Sequence, residues 1–259
     1  MAFFEMNCFS KALKTYVAFN VILPEIGQNE EGVGAPEGTY KTLWLLHGLR
    51  GNHTEWMRKT AIERYAEEYQ IAVVMPAVNR SWYTDTAYGA KYFTYITEEL
   101  PQICRSYFKG MSDKREDNLI AGLSMGGYGA LKAAFIYPEK YFACASLSGS
   151  LDITRRGRGN GMLDEWRSIF YFDMQEQIEL EGSCHDLFQL TSDTLAKGAE
   201  IPDLYLWCGT EDALVNINRT YRDMLVEHNV KHLYEESEGD HTWKWWDMHI
   251  TDALAYLLK

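Results

Sequence analysis

From Tyr16 to Leu23 polar and apolar side chains alternate, the two-residue period of a strand with one buried face. The next runs are different: Lys41–Leu46, Ile71–Met75, Asp117–Ala121, Phe142–Leu147 and Leu204–Cys208 are short and mostly apolar, with little alternation, and Lys231–Glu236 is read as the last strand of the same series. A strand that is apolar on both faces must be covered on both, and each run leads into a loop or a helical stretch. Short buried strands alternating with helices predict an α/β protein, with a mostly parallel sheet and helices on both faces. Ligands in such folds sit at the carboxyl ends of the strands.

Two stretches depart from this rhythm. Residues 27–38, rich in Gly, Glu and Asn, read as a surface loop. Residues 149–200 are too long for a simple connection and mix a Gly-rich part (Gly157, Gly159, Gly161) with helical pieces around Trp166–Phe172 and Leu187–Ala196. An insertion of this size over the carboxyl ends of the strands would act as a small cap. The expected organisation is one domain, residues 1–259, with the cap at 149–200 and a C-terminal helix starting near Trp243. There is no internal repeat and no low-complexity tract.

The 259 residues are 46% hydrophobic, enough for a substantial core, and carry a formal net charge of −12. That charge argues against nucleic acid and anionic membrane surfaces as partners. The cationic cluster Arg155-Arg156-Gly157-Arg158 is short and Gly-flanked, so it reads as a solvated loop. Five scattered cysteines (Cys8, Cys104, Cys144, Cys184, Cys208) without a C-x-x-C pair form neither a disulfide framework nor a zinc site. Met1–Met6 lacks the basic and apolar regions of a signal peptide, and no run approaches the ~20 apolar residues that span a bilayer. A cytoplasmic location is the expectation, and a homo-oligomer is compatible with it.

Chemistry enters at Gly122-Leu123-Ser124-Met125-Gly126, which fits Gly-x-Ser-x-Gly, the strand-to-helix turn that exposes a nucleophilic serine. A strand precedes it and a helix, Met125–Phe135, follows. Gly122 and Gly126 leave room for the tight turn. Gly127, Gly129 and Ala130 let the helix lie close on the sheet.

A serine needs a base to take its proton. In this arrangement the acid and the histidine follow the serine, each after a later strand. Gly209-Thr210-Glu211-Asp212 follows one such strand, with Asp212 favoured as the acid and Glu211 as its competitor. His241 in Glu238-Gly239-Asp240-His241 fills the place after the last strand. His53 and His185 fall outside the expected slot, His228 and His232 flank the start of the last strand, and His249 lies inside the final helix. Asp240 is a third carboxylate, but neighbours on a turn rarely face each other's rings. Oxyanion stabilisation needs backbone N–H groups, expected from Met125 and from Leu49 in His47-Gly48-Leu49-Arg50-Gly51-Asn52. His47 reads as structural.

Trp82 and Tyr83, after the Ile71–Met75 strand, are candidates to line the substrate pocket. Trp243, Trp245 and Trp246 read as helix packing. His228 and His232 are four apart but lead into a strand rather than lying on a helix, so no metal site and no cofactor are expected.

Together, Gly-Leu-Ser-Met-Gly-Gly-Tyr-Gly-Ala, His-Gly-Leu-x-Gly-Asn, Trp-Tyr-Thr-Asp and Gly-Thr-Glu-Asp resemble the esterase D-like branch of the α/β-hydrolases, nearest to the bacterial tributyrin esterases. The resemblance covers nearly the whole chain. It implies the α/β-hydrolase fold, with Ser124 as nucleophile, Asp212 as acid, His241 as base, and Leu49 and Met125 as oxyanion donors. These are the residues reached from order and spacing. Formylglutathione hydrolases of the branch carry histidine after the paired glycines, where this chain has Tyr128. The expected function is a serine carboxylesterase that hydrolyses short-chain acyl esters of small molecules through an acyl-enzyme. The alternatives are a feruloyl or acetyl esterase for small sugar esters and a formylglutathione hydrolase-like thioesterase. A non-catalytic binding module has no need of the complete set.

Overall fold

The computed structural model describes residues 1–27, 32–154, 163–170 and 180–259. Among them, eight strands form one sheet: β1 (Ala2–Ser10), β2 (Thr15–Leu23), β3 (Thr42–Leu46), β4 (Ala72–Pro76), β5 (Asn118–Leu123), β6 (Ala143–Leu147), β7 (Asp203–Gly209) and β8 (His232–Ser237). Their order is β1-β2-β4-β3-β5-β6-β7-β8. Strands β3 to β8 run parallel, while β2 joins β4 antiparallel and β1 joins β2 antiparallel. The mostly parallel sheet is as the sequence predicts.

Strand β1 has no counterpart in the sequence reading. It pairs with β2 along its whole length, from Ala2 opposite Leu23 to Ser10 opposite Thr15. Phe3, Phe4 and Phe9 on this edge strand are exposed, so apolar residues do not mark a buried face there.

The helices are α1 (Glu55–Lys59), α2 (Ile62–Tyr69), α3 (Tyr92–Thr94), α4 (Leu100–Tyr107), α5 (Met125–Ile136), α6 (Leu163–Phe170), α7 (Leu187–Ala196), α8 (Val215–Glu227) and α9 (Trp243–Leu257), with a π-helical turn, Tyr95–Glu99, joining α3 to α4. Because successive strand residues point to opposite faces, the apolar strands feed two cores at once. Trp44, Leu46, Ile120, Cys144, Leu204 and Leu206 pack with residues of α4, α5, α7 and α8. Leu43, Leu45, Leu119, Ala121, Tyr205 and Trp207 pack with α1, α2 and α9. Because β3 to β8 run parallel, the loops that follow them gather at one rim of the sheet.

The chain leaves β3 for β4 on one side and later enters β5 on the other. The loop after β3 and the turn after β5 therefore adjoin at the carboxyl end of the sheet, the switch point where such folds bind ligands.

The described parts of residues 149–200 divide in two. Helix α7 belongs to the main body: Thr194 donates to the Phe135 carbonyl at 2.9 Å, and the Thr191 and Tyr221 hydroxyls lie 2.7 Å apart. Helix α6 sits against the loop after β4. Its Glu165 pairs with Arg80, the Ile169 carbonyl accepts from Ala87 N–H at 2.9 Å, and Trp166 meets Trp82 edge to face. The Arg155–Arg158 cluster, the three glycines 157, 159 and 161, and Phe172 lie outside the described residues.

Candidate active site

Ser124 stands between β5 and α5 with φ 54° and ψ −116°. A positive φ at a non-glycine residue persists only where the surroundings enforce it. Here the Ser124 N–H donates to the Leu147 carbonyl at 2.9 Å, and the Ser124 carbonyl accepts from Ser150 N–H at 3.0 Å. The flanking glycines are required by contact. A Cβ on Gly122 would lie 2.4 Å from the Gly126 carbonyl oxygen, and one on Gly126 would lie 2.5 Å from that of Leu46. Ser124 also caps the amino terminus of α5, where unpaired N–H groups and the helix dipole favour negative charge.

Asp212 follows β7 and His241 follows β8. His241 Nδ1 lies 2.7 Å from Asp212 Oδ2, and its Nε2 lies 2.9 Å from Ser124 Oγ. The structure thus joins the three residues in one hydrogen-bonded chain. Asp212 is buried, and its other oxygen, Oδ1, accepts from Leu214 N–H at 2.8 Å. Burial pushes its carboxyl up, but the donors His241, Leu214 N–H and the Ser148 hydroxyl together outweigh burial and hold it below its ordinary value. The carboxylate can therefore orient the imidazole and stabilise it once it takes up a proton.

Glu211 does not reach His241. Its Oε2 accepts from Gly239 N–H at 2.6 Å, and its own N–H donates to the Gly239 carbonyl at 2.9 Å. It tethers the loop that carries His241, two residues upstream of the ring. The Gly239 N–H and the Thr210 hydroxyl hold its carboxyl below the usual range. Asp240 instead accepts from the Thr242 hydroxyl at 2.6 Å.

The loop after β3 runs beside the serine. A Cβ on Gly48 would lie 3.5 Å from Ser124 Cβ and 2.7 Å from the Leu123 side chain, and half-buried Leu49 follows at once. His47 Nε2 accepts from Val78 N–H at 3.1 Å, so the proton of the neutral ring is on Nδ1, 2.7 Å from the Gly48 carbonyl. Burial lowers its pKa to about 4. It bridges the loops after β3 and β4 and stays uncharged.

Residues 10–257 match the sequence model of the family described as Putative esterase. The chain belongs to this esterase family.

Relatives agree over the full length. An acetyl esterase of Caldicellulosiruptor saccharolyticus is 31% identical over 264 residues, covering 100% of this chain and 99% of the relative. The substrate-bound structure of FphF, a fluorophosphonate-binding serine hydrolase of Staphylococcus aureus, superposes with a TM-score of 0.89 at 33% identity, covering 100% of this chain and 98% of that one. The apoenzyme of the S-formylglutathione hydrolase FrmB, also from Staphylococcus aureus, gives 0.86 at 34% identity, covering 100% and 99%. The protein is a carboxylic ester hydrolase of the serine type, with the α/β-hydrolase fold. Among its described residues no helix is long and apolar enough to cross a membrane.

The esterase encloses Trp82 and Tyr83, expected to line the substrate pocket, within its packed interior. Both are buried, at 1% and 0% exposure, and both have positive φ, 52° and 48°. Tyr83 lies on Gly129, where a Cβ would meet its ring at 2.4 Å, and its hydroxyl donates to the His47 carbonyl at 2.8 Å. Trp82 packs edge-on against Tyr128 and Trp166. The pair supports the rim from beneath, because an aromatic pair at this bend reaches the gap between α5 and α6 rather than solvent.

Tyr128 is itself fully buried, and its hydroxyl donates to the His185 carbonyl at 2.9 Å.

Lys132 is the residue whose part the sequence conceals. It is buried on α5, and Nζ donates to the Tyr83 carbonyl at 3.1 Å and to Thr84 Oγ1 at 2.8 Å, with His185 Nδ1 at 3.2 Å. Burial lowers its pKa to about 8 and that of His185 to about 3. A lysine inside an apolar helix signals an inward-facing partner, but only tertiary structure identifies it.

Proposed function

We propose that this esterase removes short acyl groups from small esters, with Ser124 as nucleophile, His241 as general base and acid, and Asp212 as the group that orients His241. The observation that carries the reading is the unbroken chain Ser124 Oγ, His241, Asp212, with contacts of 2.9 and 2.7 Å. Ser124 Oγ attacks the ester carbonyl carbon as its proton passes to His241 Nε2. Negative charge gathers on the carbonyl oxygen, which the N–H groups of Met125 and Leu49 stabilise. The tetrahedral adduct collapses, the C–O bond to the alcohol breaks, and the alcohol leaves with the proton from His241. Water then repeats the sequence on the acyl-enzyme and releases the carboxylic acid and free Ser124.

Preference for short acyl groups is supported by the full-length likeness to an acetyl esterase and by α6, which we take to roof one side of the site. Described residues of the expected cap thus act as a wall in this reading. A second reading, a thioesterase, is favoured by the 34% identity to an S-formylglutathione hydrolase across the whole chain. No cofactor enters either reading. The cytoplasmic location is proposed with them, since free thiols such as exposed Cys184 suit a reducing compartment.

The test is a panel of chromogenic esters from acetyl to octanoyl, together with a feruloyl ester and S-formylglutathione. We expect kcat/KM to peak between acetyl and butyryl. A steady rise with chain length would overturn the short-acyl reading, because an open groove gains about 0.8 kcal/mol per buried methylene. A kcat/KM for the thioester far above that for every oxygen ester would favour the second reading.

A further inference from the structure

The chain that leaves β3 towards Leu49 passes through three successive carbonyls, and each has a donor of its own. The Leu46 carbonyl accepts from Trp56 Nε1 at 3.1 Å, and the His47 carbonyl from the Tyr83 hydroxyl at 2.8 Å. The Gly48 carbonyl accepts from Gly51 N–H at 3.0 Å and from His47 Nδ1 at 2.7 Å. A peptide unit is planar and trans, so its C=O and N–H point in opposite directions. Anchoring a carbonyl therefore aims the N–H of the next residue. The Gly48 carbonyl aims Leu49 N–H, and the His47 carbonyl fixes the peptide plane just before it.

Most of these donors are local. Gly51 and His47 belong to the loop, and Trp56 lies on α1, which follows it. Tyr83 comes from a separate segment, the bend after β4, and its hydroxyl bond is buried. That bend is strained, since Trp82 and Tyr83 are consecutive residues with left-handed backbone. Helix α5 holds it in place. Lys132 Nζ donates to the Tyr83 carbonyl and to Thr84 Oγ1, and the Tyr83 ring occupies the space where a side chain on Gly129 would stand. The first turn of α5 also meets the His47 carbonyl, because a Cβ on Gly126 would lie 2.8 Å from its oxygen. The helix that begins with Met125 thus grips the loop of Leu49 through Tyr83.

We infer that Tyr83 is a positioning residue of the oxyanion hole: its hydroxyl braces the His47 carbonyl and so sets Leu49 N–H relative to Met125 N–H. The inference rests on the proposed roles of Ser124, Leu49 and Met125. Tyr83 touches no reacting atom and acts through the backbone. Charge on the substrate oxygen develops only as Ser124 adds to the carbonyl, so a slack loop weakens the transition state and leaves substrate binding nearly unchanged.

The test compares Tyr83→Phe with Tyr221→Phe. Both tyrosines are fully buried, and the Tyr221 hydroxyl pairs with Thr191 between α7 and α8, so its loss is a matched control. Removing an oxyanion donor outright costs about 10²–10³ in kcat, and loosening one should cost roughly tenfold, with KM within about twofold. Tyr221→Phe should keep wild-type kcat while melting at about the same temperature as Tyr83→Phe. Two inhibitors separate a slack oxyanion loop from general damage. A trifluoromethyl ketone adds Ser124 Oγ to its carbonyl and places an oxyanion in the hole, whereas the matching methyl ketone binds largely without addition. The Ki of the first should rise in Tyr83→Phe by the factor that kcat/KM falls, and the Ki of the second should not move.

Wild-type kcat in Tyr83→Phe would overturn the inference. So would an equal loss in Tyr221→Phe, or equal weakening of both ketones. If the wild type bound the two ketones alike, or Ser124→Ala kept its activity, the catalytic reading itself would fall and the brace with it.

Discussion

The turn carrying Ser124 and the loop carrying His241 meet at 2.9 Å, but they are held by different physics. The turn is fixed by excluded volume. Gly122 and Gly126 face each other where no Cβ fits, α5 is buried almost throughout its length, and backbone bonds from the β6 bend grip Ser124 on both sides. The histidine loop is fixed by polar contacts at the surface. Glu211 holds Gly239, Asp212 holds the ring, and the His241 side chain remains 37% exposed. A packed turn keeps the geometry of Ser124 whatever the charge state nearby. A loop on hydrogen bonds holds the His241 ring between Asp212 and Ser124 through contacts that single polar substitutions can remove.

Removing the group that the packed turn presents should have the largest effect. Ser124→Ala is expected to lower kcat by about 10⁶ without loss of fold, measured as initial rates beside a circular-dichroism melt. A variant that kept most of its activity would break the comparison at its first step.

On the polar side the effect should be large but graded by contact. Asp212→Asn should lower kcat by about 10⁴, because an amide favours the wrong imidazole tautomer. Glu211→Gln should cost only about tenfold, since it loosens a tether two residues from the ring. Equal losses would mean that the loop, rather than the Asp212 contact, decides the orientation of His241.

Gly126→Ala should act through stability. Its new Cβ would press on the Leu46 backbone, and overpacking of this kind costs about 3 kcal/mol. Urea unfolding would measure it. The matching change on the polar side, Asp240→Ala, should leave the midpoint nearly unmoved.

The smallest effect belongs to Lys132, the titratable group buried within the packed half. With its pKa lowered to about 8 when folded and an ordinary value near 10.4 when unfolded, the unfolded chain binds more protons between these values. The cost of burying the charge is therefore fully present below about pH 8 and is relieved as pH rises towards 10.4. Stability of the wild type relative to Lys132→Met should rise by roughly 1 kcal/mol between pH 8 and 9. A difference that stayed flat or fell over that interval would mean that Lys132 is neutral throughout, or compensated by its neighbours.

The strands β3 to β7 were legible because each is largely apolar on both faces, and residues buried on both sides leave a mark in the sequence; β8, with no fully buried residue, was legible only from its place last in the series. Strand β1 was not, since Phe3, Phe4 and Phe9 lie exposed on an edge and make no periodic pattern. Trp82 and Tyr83 illustrate a second gap. Their place after a strand suggested the rim, but whether an aromatic ring points out or in depends on what packs beneath it. Gly129 and α6 open a space inside, and the rings fill it.

The sequence by itself determined the mostly parallel sheet, the serine at a glycine-crowded turn, and the order in which an acid and a histidine follow. These depend on local backbone geometry and on burial, which act over a few residues and leave periodic patterns or short motifs in the sequence. Only the tertiary structure separated Asp212 from Glu211 as a partner of His241, because both occupy one loop and the 2.7 Å contact with the ring belongs to Asp212. It alone revealed Trp246 against Ser148 and Lys132 beneath Tyr83. Each joins residues far apart in the chain, and such contacts form only when the packed helices and sheet have brought the partners together.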